Sequence, residues 1–149
     1  MKILFMCVAN SARSQMAEGL AKEILGPDVE IESAGSQPKY LHPCAIAVLN
    51  EIGIDISRNG SKSISDLPPS FVDYVDYVIT LCTEEVCPVH IGKAGKRLHW
   101  PFPDPAGAEE EMSSFRTVRD LIKNRLLEFK KKLLVAVMLR LKRSSLIQA

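Results

Sequence analysis

Several features that mark specialised protein classes are scarce in this sequence. Four cysteines in 149 residues are too few for the disulfide scaffold of a small secreted protein. A formal net charge of +1 provides neither a positive field for nucleic acid nor the charge excess of a disordered chain. The first apolar run, Ile3 to Val8, is too short for a secretory signal. We therefore expect a globular protein of the reducing cytoplasm, monomeric and without nucleic acid as a partner.

Apolar runs and helical repeats alternate along the first 100 residues. Lys2 to Cys7 is apolar without alternation, which predicts a central strand buried on both faces. A helix is predicted over Ser14 to Leu25, ending at Gly26. Similar patterns predict strands at Val29–Ser33, Tyr74–Cys82 and Arg97–Trp100. A further helix is predicted at His42–Glu51. This order predicts a three-layer α/β sandwich, a mostly parallel four-stranded sheet flanked by helices.

The charge is unevenly distributed along the chain. Residues 129–149, which we call the basic tail, contain six basic and no acidic residues, whereas the rest has 13 basic against 18 acidic residues, a net charge of −5. Apolar residues at helical spacing continue from Phe115 through the tail, which predicts one long helix. We expect this helix to pack on the body with its cations at the negative end of the helix dipole. Contact with a membrane surface or a partner is the alternative.

The segment between the first strand and the first helix carries the candidate chemistry. Backbone amides of such a loop, together with the helix N-terminus, form a site for a tetrahedral anion. A Cys7 thiolate would be stabilised by these amides and by the Arg13 guanidinium, whose planar fork can hold two anion oxygens. Without that role, Cys7 would be an inert buried thiol. The predicted anion site consists of Val8, Ala9, Asn10, Ser11, Ala12, Arg13 and Ser14.

Two further features lie at the predicted carboxyl edge of the sheet, where ligands bind in open parallel sheets. Cys82 ends the predicted third strand, and a proline-rich loop containing Asp104 follows Trp100. Taken alone, Asp104 before a proline is a turn former and Cys82 a small buried hydrophobe. Cys82, Cys87 and the nearby histidines lack the paired spacing of zinc ligands, so no metal site is predicted.

Three groups of residues resemble the low-molecular-weight tyrosine phosphatase superfamily and, within it, the thioredoxin-coupled arsenate reductases. They are CVANSARSQMAEG at Cys7 to Gly19, Ser33 to Gly35, and His99–Trp100 followed by Asp104 to Gly107. The resemblance implies a catalytic domain over residues 1–131, followed by a basic helical extension over residues 132–149.

The resemblance also implies roles for individual residues. Cys7 would attack the central atom of a bound oxyanion, Ser14 would hydrogen-bond that nucleophile, and Asp104 would be the general acid. For arsenate, Cys82 would attack the Cys7 sulfur to release arsenite, and Cys87 would then attack Cys82. Thioredoxin would reduce the resulting disulfide, and no metal or organic cofactor is implied.

Two other functions remain open on the sequence. A phosphatase would hydrolyse a phosphoester through a Cys7 phosphocysteine and would need neither Cys82 nor Cys87, because water resolves that intermediate. An anion sensor would use the same loop without catalysis and the basic tail as its output. Ala106 and Gly107 stand where tyrosine phosphatases have the tyrosines of their substrate cleft.

Two departures from the family pattern affect the loop and its support. Ala9 replaces a usual glycine, which would strain the backbone if that position needs a positive φ. Some relatives bind potassium, and an aspartate of that ion site corresponds here to Lys62. We hypothesise that the Lys62 ammonium supplies the ion's charge, beside the residues that match its other ligands, Asn10, Glu18 and Ser33.

Overall fold

A four-stranded parallel sheet organises the chain. The computed structural model describes residues 1–83 and 95–148, so Cys87 lies outside the described residues. In chain order the elements are β1 (Lys2–Cys7), α1 (Arg13–Leu25), β2 (Glu30–Gly35), α2 (Pro43–Asn50), a 3-10 turn (Ile64–Asp66), α3 (Pro69–Val72), β3 (Tyr77–Thr80), β4 (Lys96–His99) and α4 (Glu111–Ile147). The predicted α/β class and the central position of the first strand are confirmed.

The strand order places the carboxyl ends of all four strands at one edge of the sheet. The order is β2-β1-β3-β4, and every neighbouring pair is parallel. Cys7 at the end of β1 lies beside Gly35 at the end of β2, and Thr80 of β3 lies beside His99 of β4. The loops that follow β1, β2 and β4 therefore meet at this edge, where parallel sheets bind ligands.

The core occupies both faces of the sheet, which explains why the sequence of β1 shows no alternation. Ile3 and Phe5 pack in the larger cluster with side chains of α1, α2 and α4. Leu4 and Met6 face the opposite cluster, which includes Phe71 of α3. These four side chains of β1 have no exposed surface. A polar residue at any of these positions would lose its water without gaining a partner.

The third strand is shorter than predicted. It covers Tyr77–Thr80, whereas the sequence pattern predicted Tyr74–Cys82. The helix α3 precedes this strand and begins with Pro69 at its first position, where the missing N–H removes no helical hydrogen bond. Tyr74 follows this helix and is 72% exposed. Cys82 lies two residues beyond the strand end and is buried.

The long C-terminal helix forms as predicted, but its last part does not pack on the body. The buried face of α4 extends from Phe115 to Phe129, and beyond it Leu133 is only half-buried. The last turn of α4 contains no basic residue. The expected packing of the tail is therefore wrong beyond Leu133, where its large apolar side chains are exposed, and the expected dipole role is wrong as well. Among the described residues, no helix is long and apolar enough to cross a membrane.

Gly35 provides a test of the close contact between β2 and the anion loop. A Cβ at this position would lie 2.5 Å from the Val8 carbonyl oxygen and 2.9 Å from the Asn10 amide nitrogen. We expect Gly35→Ala to lower the free energy of unfolding by about 1–3 kcal/mol, because backbone atoms of the loop must move. Urea unfolding measures this change. The control is Gly60→Ala, since a Cβ there meets nothing within 4 Å; equal stability of the two variants would contradict the expectation.

Candidate active site

The loop after β1 surrounds the sulfur of Cys7. Cys7 is only 3% exposed, and its Sγ lies 2.9 Å from Ser14 Oγ. Asn10 Nδ2 donates to the same Ser14 oxygen at 2.8 Å. The Ser14 hydroxyl proton is therefore directed to the Cys7 sulfur, where it stabilises the thiolate.

Several donors together make Cys7 acidic. A hydrogen bond from the Cys82 side chain is the largest cause and lowers the pKa of Cys7, which reaches about 6 instead of its usual value near 9. The Ser14 side chain and the amides of Ser14 and Asn10 lower the pKa further, while burial of the thiol raises it. The donors outweigh the desolvation, so Cys7 is a thiolate at neutral pH.

The structure brings the second predicted thiol to the nucleophile. Cys82 is 1% exposed and lies in the same buried cluster as Cys7, where its side chain lowers the pKa of that thiol. Its position follows from the end of β3, because Leu81 still donates its amide to the Met6 carbonyl of β1 at 2.9 Å. Since β1 and β3 are neighbours, the two cysteines at their carboxyl ends meet. Cys87 lies outside the described residues, so its place in a relay is not described.

Arg13 and Asp104 lie close together at the cavity over Cys7. Arg13 is 6% exposed, and its Nη1 donates to the Phe102 carbonyl at 3.0 Å. Its Nη2 lies 3.9 Å from Asp104 Oδ2. The Asp104 side chain is half exposed, and its Oδ1 accepts the Ala106 amide at 3.0 Å. The carboxyl group thus faces both the cationic anion clamp and solvent, as a proton donor to a leaving group must.

The backbone strain expected at Ala9 is absent, because the left-handed position of the loop is Asn10. Asn10 has φ 48° and is the one non-glycine residue of the described chain with a positive φ. Asparagine adopts this conformation more readily than most residues. Its side chain is fully buried, donates to Ser33 Oγ at 2.9 Å and accepts the Lys62 amide at 3.0 Å. These bonds support the strained backbone of the loop.

A cavity of about 560 Å³ opens over Cys7. Its walls include the predicted residues Arg13 and Asp104 and, from the loop, Val8, Ala9, Ser11 and Ala12. Asn10 and Ser14, also predicted as anion-binding residues, are fully buried and are not among the residues that line the cavity. Their amides act on the Cys7 thiolate instead.

The opposite wall of the cavity was missed by sequence reasoning. Tyr40 is 61% exposed and its ring stacks on His42 with the ring centroids 6.3 Å apart. The substrate cleft therefore has an aromatic wall, although Ala106 and Gly107 provide none. The segment follows the carboxyl end of β2, so the rule that placed Cys7 and Asp104 could have found it. The missed lining residues are Gln37, Lys39, Tyr40, His42 and Glu111.

One group of side chains beside the cavity has the donor atoms of a metal site. In the described part of the chain, only His42, Cys44 and Glu111 bring three such atoms within 4.8 Å of one another. His42 Nδ1 accepts the Cys44 amide at 3.1 Å, which places the ring proton on Nε2, 3.5 Å from Glu111 Oε1. Burial and Glu111 raise the pKa of the Cys44 thiol. The His42 Nε2 proton and the Cys44 thiol proton would both have to leave before a metal could bind. We therefore interpret these three residues as a hydrogen-bonded group and not as a metal site.

The same group holds the loop that carries Asp104. Glu111 Oε2 accepts the Gly107 amide at 2.8 Å, and this bond is the largest cause that lowers the pKa of Glu111. Cys44 Sγ lies 3.4 Å from Glu111 Oε1. The first turn of α4, the start of α2 and the Asp104 loop are thereby joined at one carboxylate.

A buried carboxylate lies behind the loop, at the position where the family resemblance implies a potassium site. Glu18 is 2% exposed, and its Oε1 accepts the Ser33 hydroxyl at 3.0 Å. The Lys62 ammonium lies 3.4 Å from the same oxygen. Asn59 Nδ2 donates to Glu18 Oε2 at 2.9 Å. The residues do not fit potassium, because Lys62 already neutralises the carboxylate that would bind the ion.

The acidity of Cys7 can be tested by alkylation. We expect the rate of Cys7 alkylation in the reduced protein to rise with pH around a midpoint near 6, because only the thiolate reacts. Peptide mass mapping separates Cys7 from the other thiols. A midpoint above pH 8 would show that the donors fail to outweigh burial.

The contribution of Cys82 to the low pKa of Cys7 can be tested by comparing two substitutions. Cys82→Ala removes the side-chain hydrogen bond that most lowers the pKa of Cys7, so we expect the alkylation midpoint to move to higher pH. Cys82→Ser keeps a hydroxyl donor and should restore part of the shift. An unchanged midpoint in Cys82→Ala would assign the acidity of Cys7 to Ser14 and the loop amides instead.

Known proteins share both this sequence and this geometry. The family model described as "Low molecular weight phosphotyrosine protein phosphatase" matches residues 2–138. An arsenate reductase of Bacillus subtilis (strain 168) is 43% identical over 136 residues, which cover 85% of this chain and 93% of the relative.

Two solved structures are similar in fold. The solved structure of an arsenate reductase in the phosphate binding state has a TM-score of 0.73 and 36% identity, covering 88% of this chain and 97% of that chain. A thioredoxin-dependent arsenate reductase of Corynebacterium glutamicum has a TM-score of 0.71 and 31% identity, covering 91% of this chain and 62% of that one. This chain belongs to the low molecular weight phosphotyrosine protein phosphatase family.

Proposed function

We propose that this protein is a thioredoxin-dependent arsenate reductase. The observation that carries the proposal is the place of Cys82, which is buried in the same side-chain cluster as Cys7 and makes the largest contribution to the low pKa of that nucleophile. A phosphatase needs no second thiol there, whereas reduction of arsenate needs two electrons from protein sulfur. The relatives named arsenate reductase support the same substrate.

Cys7 begins the reaction as a thiolate. Arsenate binds over the loop with its oxygens held by the loop amides and by the Arg13 guanidinium. The Cys7 sulfur attacks arsenic, a sulfur–arsenic bond forms, and one arsenate oxygen leaves. Asp104 protonates that oxygen, which departs as water. The acidity of Cys7 means that no separate base is needed to generate the nucleophile at neutral pH.

Cys82 supplies the first protein sulfur of the reduction. Its thiolate attacks the Cys7 sulfur, the sulfur–arsenic bond breaks, and its electron pair remains on arsenic, which leaves as arsenite. Cys7 and Cys82 are then joined by a disulfide. Cys87 attacks Cys82, which releases Cys7 as a thiolate and leaves a Cys82–Cys87 disulfide. Thioredoxin returns two electrons to that disulfide by thiol–disulfide exchange. Because Cys82 is 1% exposed, it has to become accessible for this exchange.

The second candidate is hydrolysis of a phosphoester by the same Cys7 and Asp104. Tyr40 favours it, since an exposed aromatic ring at the rim of the cavity can stack on an aryl phosphate. Arsenate and phosphate share charge and shape, so weak phosphatase activity is compatible with both functions. Only the dependence on Cys82 and Cys87 distinguishes them.

The distinguishing assay couples arsenate reduction to NADPH oxidation through thioredoxin and thioredoxin reductase. We expect turnover by the wild type and at least about a hundredfold loss in Cys82→Ser and in Cys87→Ser, because each variant lacks one sulfur of the relay. Cys44→Ser is the matched control, since its thiol lies beside Glu111 and not beside Cys7. Absence of arsenate turnover, with phosphatase activity that survives both relay substitutions, would make the protein a hydrolase.

The ion-site hypothesis makes a separate prediction. Because the Lys62 ammonium lies 3.4 Å from Glu18, we expect equal rates in sodium and potassium buffers of the same ionic strength. In Lys62→Ala the carboxylate loses that charge, and the rate should fall and become sensitive to potassium. A large potassium stimulation of the wild type would overturn the hypothesis.

A further inference from the structure

The basic tail carries apolar side chains that the body of the protein does not cover. Isolated exposed apolar residues are ordinary, but a contiguous set marks an interaction surface. Here they follow one another along about the last four turns of α4. The large apolar residues of the tail that are at least 50% exposed are Leu134, Val135, Val137, Met138, Leu139, Leu141, Leu146 and Ile147.

Four of these residues form a continuous strip on one side of the helix. Leu134, Val137, Met138 and Leu141 are spaced at i, i+3, i+4 and i+7, and we call them the tail strip. Their exposed fractions lie between 50% and 65%. Successive residues of a helix are rotated by about 100° about its axis. At this rotation, the tail strip lies on a different side of α4 from Phe129.

Cations border the tail strip. At about 100° per residue, Lys131 and Lys142 lie along one border and Arg140 lies beyond the other. Long basic side chains keep their charge in water while their methylene groups follow an apolar surface. An apolar strip between such cations is the pattern of a helix that lies in a membrane interface.

The charge of the tail selects an anionic surface. The tail contains six basic and no acidic residues, whereas the rest of the chain has a net charge of −5. An anionic bilayer therefore attracts the tail and repels the body. A symmetric dimer through the tail strip would place the same six cations on both sides of the interface, where they repel. A second copy is thus a poorer occupant of the strip than anionic lipid.

The direction of α4 keeps the active site away from the tail. Glu111 at the start of the helix lines the cavity over Cys7. The Phe129 ring lies edge-on to Tyr77, at the beginning of β3, with the centroids 5.2 Å apart. The helix therefore crosses from the carboxyl edge of the sheet to the amino edge, and the tail leaves the body opposite the cavity.

We propose that the basic tail attaches this protein to the surface of anionic membranes. The tail strip enters the interface between headgroups and acyl chains, and the bordering Lys131, Arg140 and Lys142 bind lipid phosphates. The cavity over Cys7 then faces the aqueous side, open to its oxyanion and to a reductant. This inference does not depend on the proposed function.

Vesicle sedimentation with the full chain tests the proposal. The probes are vesicles of phosphatidylglycerol mixed with phosphatidylcholine and vesicles of phosphatidylcholine alone. We expect binding to the anionic vesicles that is at least about tenfold stronger than to the neutral ones and that weakens as salt is raised. Equal binding to both vesicles, or none to either, would overturn the proposal.

Paired variants separate the two components of the surface. We expect Val137→Asp with Met138→Asp, and Lys142→Glu with Arg143→Glu, each to weaken vesicle binding at least about tenfold. Matched pairs of exposed residues in the body should stay within about twofold of the wild type. These control pairs are Ile52→Asp with Leu121→Asp, and Arg58→Glu with Lys123→Glu.

Two measurements keep the outcome clear. Circular dichroism and the pH midpoint of Cys7 alkylation should be unchanged in the tail variants, because the tail lies outside the active site. Vesicle binding that survives in both tail pairs would overturn the proposal. Analytical ultracentrifugation tests for a dimer. A dimer that the Val137→Asp and Met138→Asp pair dissociates, together with no vesicle binding by any variant, would also overturn the proposal, because a second copy would then occupy the tail strip.

Discussion

The rest of the site depends on keeping a negative charge on a buried sulfur. Burial alone would hold Cys7 as a neutral thiol, and it becomes a thiolate only because donors converge on it from Cys82, Ser14 and the loop amides. The same bonds make the site competent for two chemistries, since a thiolate in an anion-binding loop can attack arsenic or phosphorus. Cys82 contributes most to the low pKa of Cys7, and it is also the thiol that a reductase would use in the step after the attack by Cys7.

The donors are held in place by a polar network behind the loop. Ser14 is oriented by Asn10, Asn10 by Ser33, and Ser33 by the buried carboxylate of Glu18. That carboxylate is tolerated in the interior because Lys62 and Asn59 bind it. The network thus connects the Lys62–Glu18 ion pair to the nucleophile through three hydrogen-bonding side chains, those of Ser33, Asn10 and Ser14.

Much of this arrangement was predictable because local patterns coincide with global ones. The apolar run of β1 and the glycine that ends α1 are local features, and they are consistent with the parallel sheet that forms. The errors arose where neighbours in space decide the outcome. The strand β3 starts later than its pattern suggests because α3 precedes it, and the buried face of α4 ends at Phe129 although the apolar pattern continues. The hydrophobic periodicity of each segment alone predicts neither of these facts.

The sequence by itself determined the α/β class, the loop with Cys7 and Arg13, and the position of Asp104 at the carboxyl edge, because strand ends and loop motifs are short-range features. Only the tertiary structure decided that Cys82 lies in the same buried cluster as Cys7, since the two are 75 residues apart and meet through the pairing of β1 with β3. It also decided that Asn10 and not Ala9 adopts the left-handed conformation, that Tyr40 forms a wall of the cavity, and that Glu111 anchors the Asp104 loop. These depend on distances between elements, which no spacing along the chain contains.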